Sequence, residues 1–263
     1  MPEGHTLHRL AAHHDAIFAG HDVHADSPQG RFAAGAARIH HVDAVEAYGK
    51  HLLYDLGDVG YLHVHLGLYG GFRDGAGPPP EPRGAVRLRL VGNGHWAELR
   101  GATACELYDD EQRDRLLHRL GPDPLRTDGR PAPFVERAGR SRAPIAGLLM
   151  DQSVVAGVGN VFRAEVLYRA LLDPYRPGRD VGDARLLALW TDLRALLRAG
   201  VRSGRIVTTR PPDRDHGGRV TREQAFYVYR RAGLPCRVCG TEVRTAVLAG
   251  RNLFWCPVCQ AAG

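Results

Sequence analysis

No stretch of this 263-residue chain approaches the ~18–20 consecutive apolar residues of a membrane-spanning helix, so no span and no membrane partner are expected. Its first ten residues, MPEGHTLHRL, lack the apolar run of a secretory signal, and a cytoplasmic location is the expectation. No internal repeat is visible. Cysteine is sparse, at five residues, and lysine is almost missing. Of 35 Lys and Arg one is Lys50, so 35 − 1 = 34 are arginines. What remains is ordinary for a globular protein, with 44% hydrophobic and 24% charged residues in a length that suits one large domain or two of average size. The net charge of +6 favours an anionic partner.

The lysine deficit has two readings. GC-rich codons favour Arg, Ala and Gly, and a lone lysine is then left by chance. The chemical reading is that Lys is a compact ammonium able to release a proton near neutral pH, which Arg does not do. Lys50, in AYGKHLLYDL, then marks a site of proton transfer or of a required point charge.

Residues 5–19 place Leu7, Leu10, Ala11 and Phe18 near helical spacing, and Gly20 is a stop signal. A period-two pattern follows at 51–56, 61–66, 86–91 and 95–100, broken by the Gly/Pro-rich 75–84, which predicts short strands in a β-sandwich or barrel. From about 109 the spacing turns helical, through EQRDRLLHRL, APIAGLLM, NVFRAEVLYRALL and DARLLALWTDLRALLRAG. The polar segment 205–222 reads as a mobile connection. The expected class is α+β, divided into a β-sandwich domain at 1–108, a helical domain at 109–222 and a cysteine-bearing module at 223–263.

Four of the cysteines form two Cys-x-x-Cys pairs, Cys236/Cys239 and Cys256/Cys259, with sixteen residues between them. That is the spacing of a tetrahedral zinc site. Disulfides fit poorly with the missing export signal, and redox pairs do not normally come in twos. Four thiolates leave no open position for water, so one structural zinc is expected. Cys105 reads as a buried thiol. Between the pairs, TEVRTAVLAGRNLFW predicts a hairpin turning at 249–252, with Arg251 at its tip, where it is either a phosphate fork or a solvated turn residue. In DQSVVAGVGNVFRAEVLYRA, Gly157 and Gly159 precede a helix start, a weak phosphate-cradle signal, and Asn160 is either a cap or a phosphate ligand. The fourteen histidines include His13, His14, His63 and His65, but no carboxylate or cysteine completes a second metal set, so packing and hydrogen bonding are expected of them.

With Met-Pro-Glu-Gly at the start, Gly-Lys-His-Leu-Leu at 49–53, His-Leu-Gly-Leu-Tyr-Gly at 65–70, the glycine-bearing helix start and the closing GRNLFWCPVCQ, nearly the whole chain resembles the formamidopyrimidine-DNA glycosylase/endonuclease VIII family of bacterial base-excision repair. Its opening is similar to the actinobacterial endonuclease VIII branch. The resemblance implies an N-terminal β-sandwich with a catalytic helix, and a helix–two-turn–helix domain with a zinc finger. It implies a monomer acting on damaged DNA with no organic cofactor. It further implies that Pro2, freed of Met1, is the nucleophile and that Glu3 protonates the deoxyribose ring oxygen. Lys50 then serves the damaged nucleotide, Asn160 and Arg251 hold phosphates, and Leu68 and Tyr69 enter the space left by the extruded base. The chain departs from the family pattern at His5 and Thr6, where a proline and a carboxylate are usual, and at Gly67, where a polar inserting residue is usual. Oxidised pyrimidines are the expected lesions. A competing reading is a non-catalytic zinc-finger DNA-binding protein on the same fold.

Overall fold

The computed structural model describes residues 2–214, 218 and 220–261. Contacts divide the chain into two compact units, residues 1–119 and 120–263.

The first unit opens with helix α1 (Gly4–Phe18) and continues through β1 (His21–Asp26), a short α2 (Ala33–Ala36), β2 (His41–Val42), β3 (Ala44–Tyr48), β4 (His51–Asp55), β5 (Tyr61–His65), β6 (Gly71–Ala76), β7 (Val86–Gly92), β8 (His95–Arg100) and β9 (Ala104–Tyr108) to α3 (Asp110–Arg119). The strands form two antiparallel sheets, ordered β2-β1-β7-β8-β6 and β3-β4-β5-β9. Alternate residues of each strand point one way. Leu52, Tyr54, Leu62 and Val64 from one sheet share a core with Leu88, Leu90, Ala97 and Leu99 from the other. Leu7, Ala11 and Phe18, one stripe of α1, join it, each large side chain contributing about 1.5–3 kcal/mol by its burial. Cys105, on β9, is buried as expected, and burial pushes its thiol up to about 12.

Strands β1, β2, β3, β6 and β9 lie outside the expected stretches, and β1 and β6 are the two longest of them. Each carries only two apolar residues, in HDVHAD and GFRDGA, too few for a legible alternation. Strand β6 runs into the segment expected to be a break because Gly75 pairs with Trp96 of β8, and a Cβ at Gly75 would meet the indole at 2.9 Å. Glycine there makes room for a packed ring rather than a turn.

The second unit contains α4 (Ala132–Gly139), α5 (Ile145–Leu148), α6 (Asn160–Arg169), α7 (Asp183–Ser203) and the hairpin β10 (Arg244–Leu248) and β11 (Arg251–Trp255). Helix α7 buries Leu186, Leu189, Trp190, Leu193 and Leu197 along one stripe. It ends at Gly204, whose φ of +67° is the left-handed stop glycine favours. Helix α6 is different, because every residue from Asn160 to Tyr168 is buried. The hairpin packs with the helices. Leu253 joins the core of α4 to α7, and Phe254 and Val243 pack with Val161, Ala164 and Tyr168 of α6. The segment 205–222 falls partly outside the described residues. Within them, Thr208 and Thr209 donate their amides to the Ala225 carbonyl.

Candidate active site and nucleic-acid interface

Pro2 and Glu3 stand immediately before α1, with Glu3 as its N-cap residue. The Glu3 side chain is fully buried, while Pro2 is half-buried. A helix N-terminus carries partial positive charge and spare N–H groups, and the first turn of α1 holds no acidic residue besides the cap. His5, one of the departures from the family pattern, is buried here, and burial brings its imidazole down to about 4, so it is neutral at working pH.

Lys50 occupies the two-residue turn between β3 and β4, where Tyr48 pairs with His51. Gly49 takes φ +60°, the left-handed value that such a hairpin requires at its first turn position. The direction of α1 brings its start toward this turn. Asp15, near the helix end, accepts from the Val45 amide at 2.8 Å at the far end of β3, and His14 meets Tyr54, the cross-strand partner of Val45, at 2.5 Å. From residue 15 back to 4 the helix rises about 16 Å. From Val45 strand β3 advances about 10 Å to its end at Tyr48, where the turn begins. Helix α1 packs along β3 and β4, so Pro2–Glu3 and Lys50 lie at the same end of that pair.

Beside Lys50, His51 and His63 hydrogen-bond through their rings at 2.9 Å, and His63 stacks on Tyr108 at 4.5 Å. Burial drives both imidazoles down, His51 to about 3 and His63 to about 4, and the Lys50 charge adds to the effect on His51. These histidines pack and hydrogen-bond, as expected. His65 accepts at Nδ1 from the Gly67 amide at 3.2 Å and also meets the Thr103 hydroxyl at 2.8 Å, which ties down the turn between β5 and β6. Gly70 closes that turn by donating to the Leu66 carbonyl at 2.9 Å. On it, Leu68 is 43% and Tyr69 88% exposed. Two large apolar side chains in tandem on a braced, solvent-facing turn are not core residues.

In the second unit the cradle differs from expectation. The Gly157 amide is already taken by the Gln152 side chain at 3.0 Å, so it is not open to a ligand. Asn160 is not the cap of α6. Gly159 is, and Asn160 is the first helical residue. The Asn160 amide instead donates from Nδ2 to the Asn252 carbonyl at 2.9 Å, next to Arg251. The hairpin turn is shorter than the sequence implied. It consists of Ala249 and Gly250, both at positive φ, while Arg251 opens β11 opposite Leu248. Two left-handed residues match the twist of a tight hairpin. Arg251 remains exposed, one position beyond the turn.

The four cysteines converge at the other end of the hairpin, their sulfurs all within 4.8 Å of one another. Cys236 and Cys259 are 3.8 Å apart and Cys239 and Cys256 3.4 Å. Zinc–thiolate bonds of about 2.3 Å in a tetrahedron separate sulfurs by roughly 3.8 Å, so the donor set fits zinc. The Tyr168 hydroxyl lies 3.2 Å from the Cys236 sulfur and the Cys259 amide donates to the Cys256 sulfur at 3.4 Å, contacts that suit thiolates. All five cysteines are free of disulfides.

Comparison with known proteins agrees with this arrangement. Residues 120–211 match the formamidopyrimidine-DNA glycosylase H2TH domain, and residues 233–262 match the zinc finger found in FPG and IleRS. Endonuclease 8 1 of Mycobacterium tuberculosis is 51% identical over 268 aligned residues, which cover 99% of this chain and 100% of that one. The chain belongs to the formamidopyrimidine-DNA glycosylase/endonuclease 8 family of DNA-repair glycosylases. A formamidopyrimidine-DNA glycosylase of Thermus thermophilus is 37% identical over 92% of this chain and 90% of its own. The crystal structure of the protein of that name from the same organism superposes with a TM-score of 0.76 at 30% identity, covering 100% of both chains.

Two residues of this glycosylase that carry much of the second unit's geometry were not singled out from sequence. Glu165 is fully buried and accepts from the amides of Tyr227, Val228 and Tyr229, each at 2.8 Å, and from the Thr208 hydroxyl. Burial raises its carboxyl pKa, and the four donors pull the other way. Arg163 is also fully buried. The signal was present: Arg163 and Glu165 stand in the middle of NVFRAEVLYR among Val, Phe, Ala and Leu, and charges so placed in a buried helix must be met by partners.

Proposed function

We propose that this glycosylase excises oxidised bases, pyrimidines foremost, and then cleaves the strand through an imine formed by Pro2. The observation that carries this reading is the start of α1, where Pro2 and the buried carboxyl of Glu3 lie at the same end of the β3–β4 pair as the chain's one lysine. The reading requires removal of Met1, which makes the Pro2 nitrogen a free secondary amine. Such an amine titrates near pH 8, so a useful fraction is unprotonated. Its lone pair attacks C1′, the base leaves with the electrons of the glycosidic bond, and the proton then shed by the Pro2 nitrogen goes to the departing base, which restores the lone pair. Glu3 delivers its proton to the ring oxygen, the C1′–O bond opens, and the nitrogen lone pair forms a cationic iminium at C1′. That cation acidifies the C2′ proton. Its loss drives out the 3′ phosphate by elimination, and water later releases Pro2.

Lys50 supplies a compact cation able to move a proton beside these groups. Leu68 and Tyr69 fill the gap left when the target base is extruded, a step costing a few kcal/mol. Tyr69 stacks on a neighbouring base. Arg251 and the start of α6 with Asn160 grip the phosphate backbone. The bound zinc supplies no chemistry and holds the hairpin. The preference for pyrimidines follows from the Leu–Tyr pair and from Thr6, which lacks the acceptor capacity of a carboxylate.

Single-turnover release from matched duplexes containing thymine glycol, dihydrouracil, 8-oxoguanine or an abasic site tests the reading. Both pyrimidine lesions should be released faster than 8-oxoguanine, and the abasic strand should be cut. Faster 8-oxoguanine release refutes the preference, and no cutting at any site favours a non-catalytic binder.

A further inference from the structure

Arg163 heads the fully buried side chains of the described residues by size. A guanidinium is buried only where acceptors meet its charge and geometry. Its Nη1 donates to the Leu248 carbonyl at 3.2 Å and its Nη2 to the Asn252 carbonyl at 3.2 Å. Nη2 also donates to Asn160 Oδ1. Leu248 ends β10 and Asn252 lies in β11, so the fork spans both strands across the two-residue turn. The Asn252 carbonyl also accepts from Asn160 Nδ2, at 2.9 Å. Asn160 therefore has its Oδ1 engaged by Arg163 and one of its two Nδ2 hydrogens by the backbone beside Arg251, and the second Nδ2 hydrogen is the one a phosphate would take. The cysteines hold only the base of the hairpin, about five residues or roughly 17 Å from its turn.

We propose that Arg163 is a positioning residue that locks the tip of the zinc-finger hairpin to the start of α6. It thereby fixes Asn160 and Arg251 in the one spacing that grips the DNA backbone. This rests on the reading of those two residues as phosphate ligands. Zinc and the packing of Leu253 and Phe254 hold the strands of the hairpin, and the polar residues next to its turn, Arg251 and Asn252, are left to the Arg163 fork. The planar fork of Arg is what the site uses, since an ammonium is a point charge that cannot hold two carbonyls and an amide in one plane.

The test is a double-mutant cycle with Arg163→Lys and Arg251→Ala. It reads the affinity of the full chain for a duplex carrying a tetrahydrofuran abasic analogue, with zinc content measured in parallel. Arg163→Lys should keep its zinc and lose about tenfold in affinity, as should Arg251→Ala. The double variant should be weaker than Arg251→Ala by clearly less than the tenfold of the single change, because one of the two ligands being positioned is already gone. Full additivity overturns the inference and leaves the phosphate reading intact. Wild-type affinity in both Arg251→Ala and Asn160→Ala overturns that reading and the inference with it. Should Arg163→Lys not fold, Arg163→Gln takes its place. Hydrogen exchange of the wild-type chain decides without any substitution: the amides of Leu248 and Arg251, the pair that closes the turn, should be as protected as those of the strand ends beside the cysteines. A pair that exchanges freely contradicts the lock.

Discussion

Lys50 is where composition and chemistry meet. A chain with 34 arginines keeps one lysine, and it sits in a hairpin turn at the same end of the β3–β4 pair as Pro2 and Glu3. If its role is proton traffic, a charge-conserving exchange should still damage it. Lys50→Arg is expected to slow base excision by at least about tenfold, within the range that a positioned acid or base contributes. DNA affinity should stay within about twofold of wild type. Wild-type excision rates in that variant would show the lysine to be a remnant of codon usage. The side chain is half-buried, so little loss of stability accompanies the change.

At the scale of elements, buried histidines make the first unit's sandwich sensitive to acid. His14, His51 and His63 titrate in the folded chain at about 4, 3 and 4, against 6.5 when unfolded. The native state holds them neutral because burial penalises their charge. Below pH 6.5 the unfolded chain binds protons that the folded chain refuses. Their contribution is therefore complete above about pH 6.5 and is lost as pH falls toward 4. Melting temperature should be nearly flat from pH 8 to 7 and fall steadily from 6.5 to 5. A rise in melting temperature over that acid range would contradict the assignment of these rings as buried and neutral. The hairpin carries its own prediction. Cys256→Ser should lose zinc and at least about tenfold in DNA affinity together, since metal binding and folding of such a module are one equilibrium. A zinc-free variant that binds DNA normally would remove the finger from the interface.

How much of these elements was legible depended on pattern. Strands β5 and β7 alternate apolar and other residues, β4 and β8 each carry three apolar residues within a short stretch bounded by polar ones, and α7 has a full apolar stripe, so their sequences announced them. Strand β1 has only Val23 and Ala25 facing the core, and β6 is an edge strand held by its pairing with β8. Both owe their form to neighbours rather than to their own residues. The cysteine spacing disclosed the metal site, because four ligands within a short segment encode their own geometry. The role of Arg163 was illegible in detail. Its two carbonyl acceptors lie 85 and 89 residues away, and no local rule connects them. Arg251 was placed in the turn because Ala249 takes a left-handed conformation, at φ +52°, that alanine rarely adopts and sequence does not predict.

For the whole molecule, the labour is divided. The first unit holds Pro2, Glu3, Lys50, Leu68 and Tyr69, which suit chemistry on one nucleotide, while the second holds Asn160, Arg251 and the cysteine site, which suit the backbone and its grip. A net charge of +6 draws both toward a polyanion. A binder without chemistry could retain the second set unchanged. The central claim is thus that Pro2 becomes covalently bonded to DNA, and one measurement meets it directly. The chain, with Met1 removed, is incubated with a duplex containing an abasic site in the presence of borohydride, and the cross-linked peptide is located by mass spectrometry. The account predicts an adduct on the nitrogen of Pro2, abolished when Met1 is retained. An adduct on Lys50, or no adduct on a chain that binds the same DNA, would contradict it.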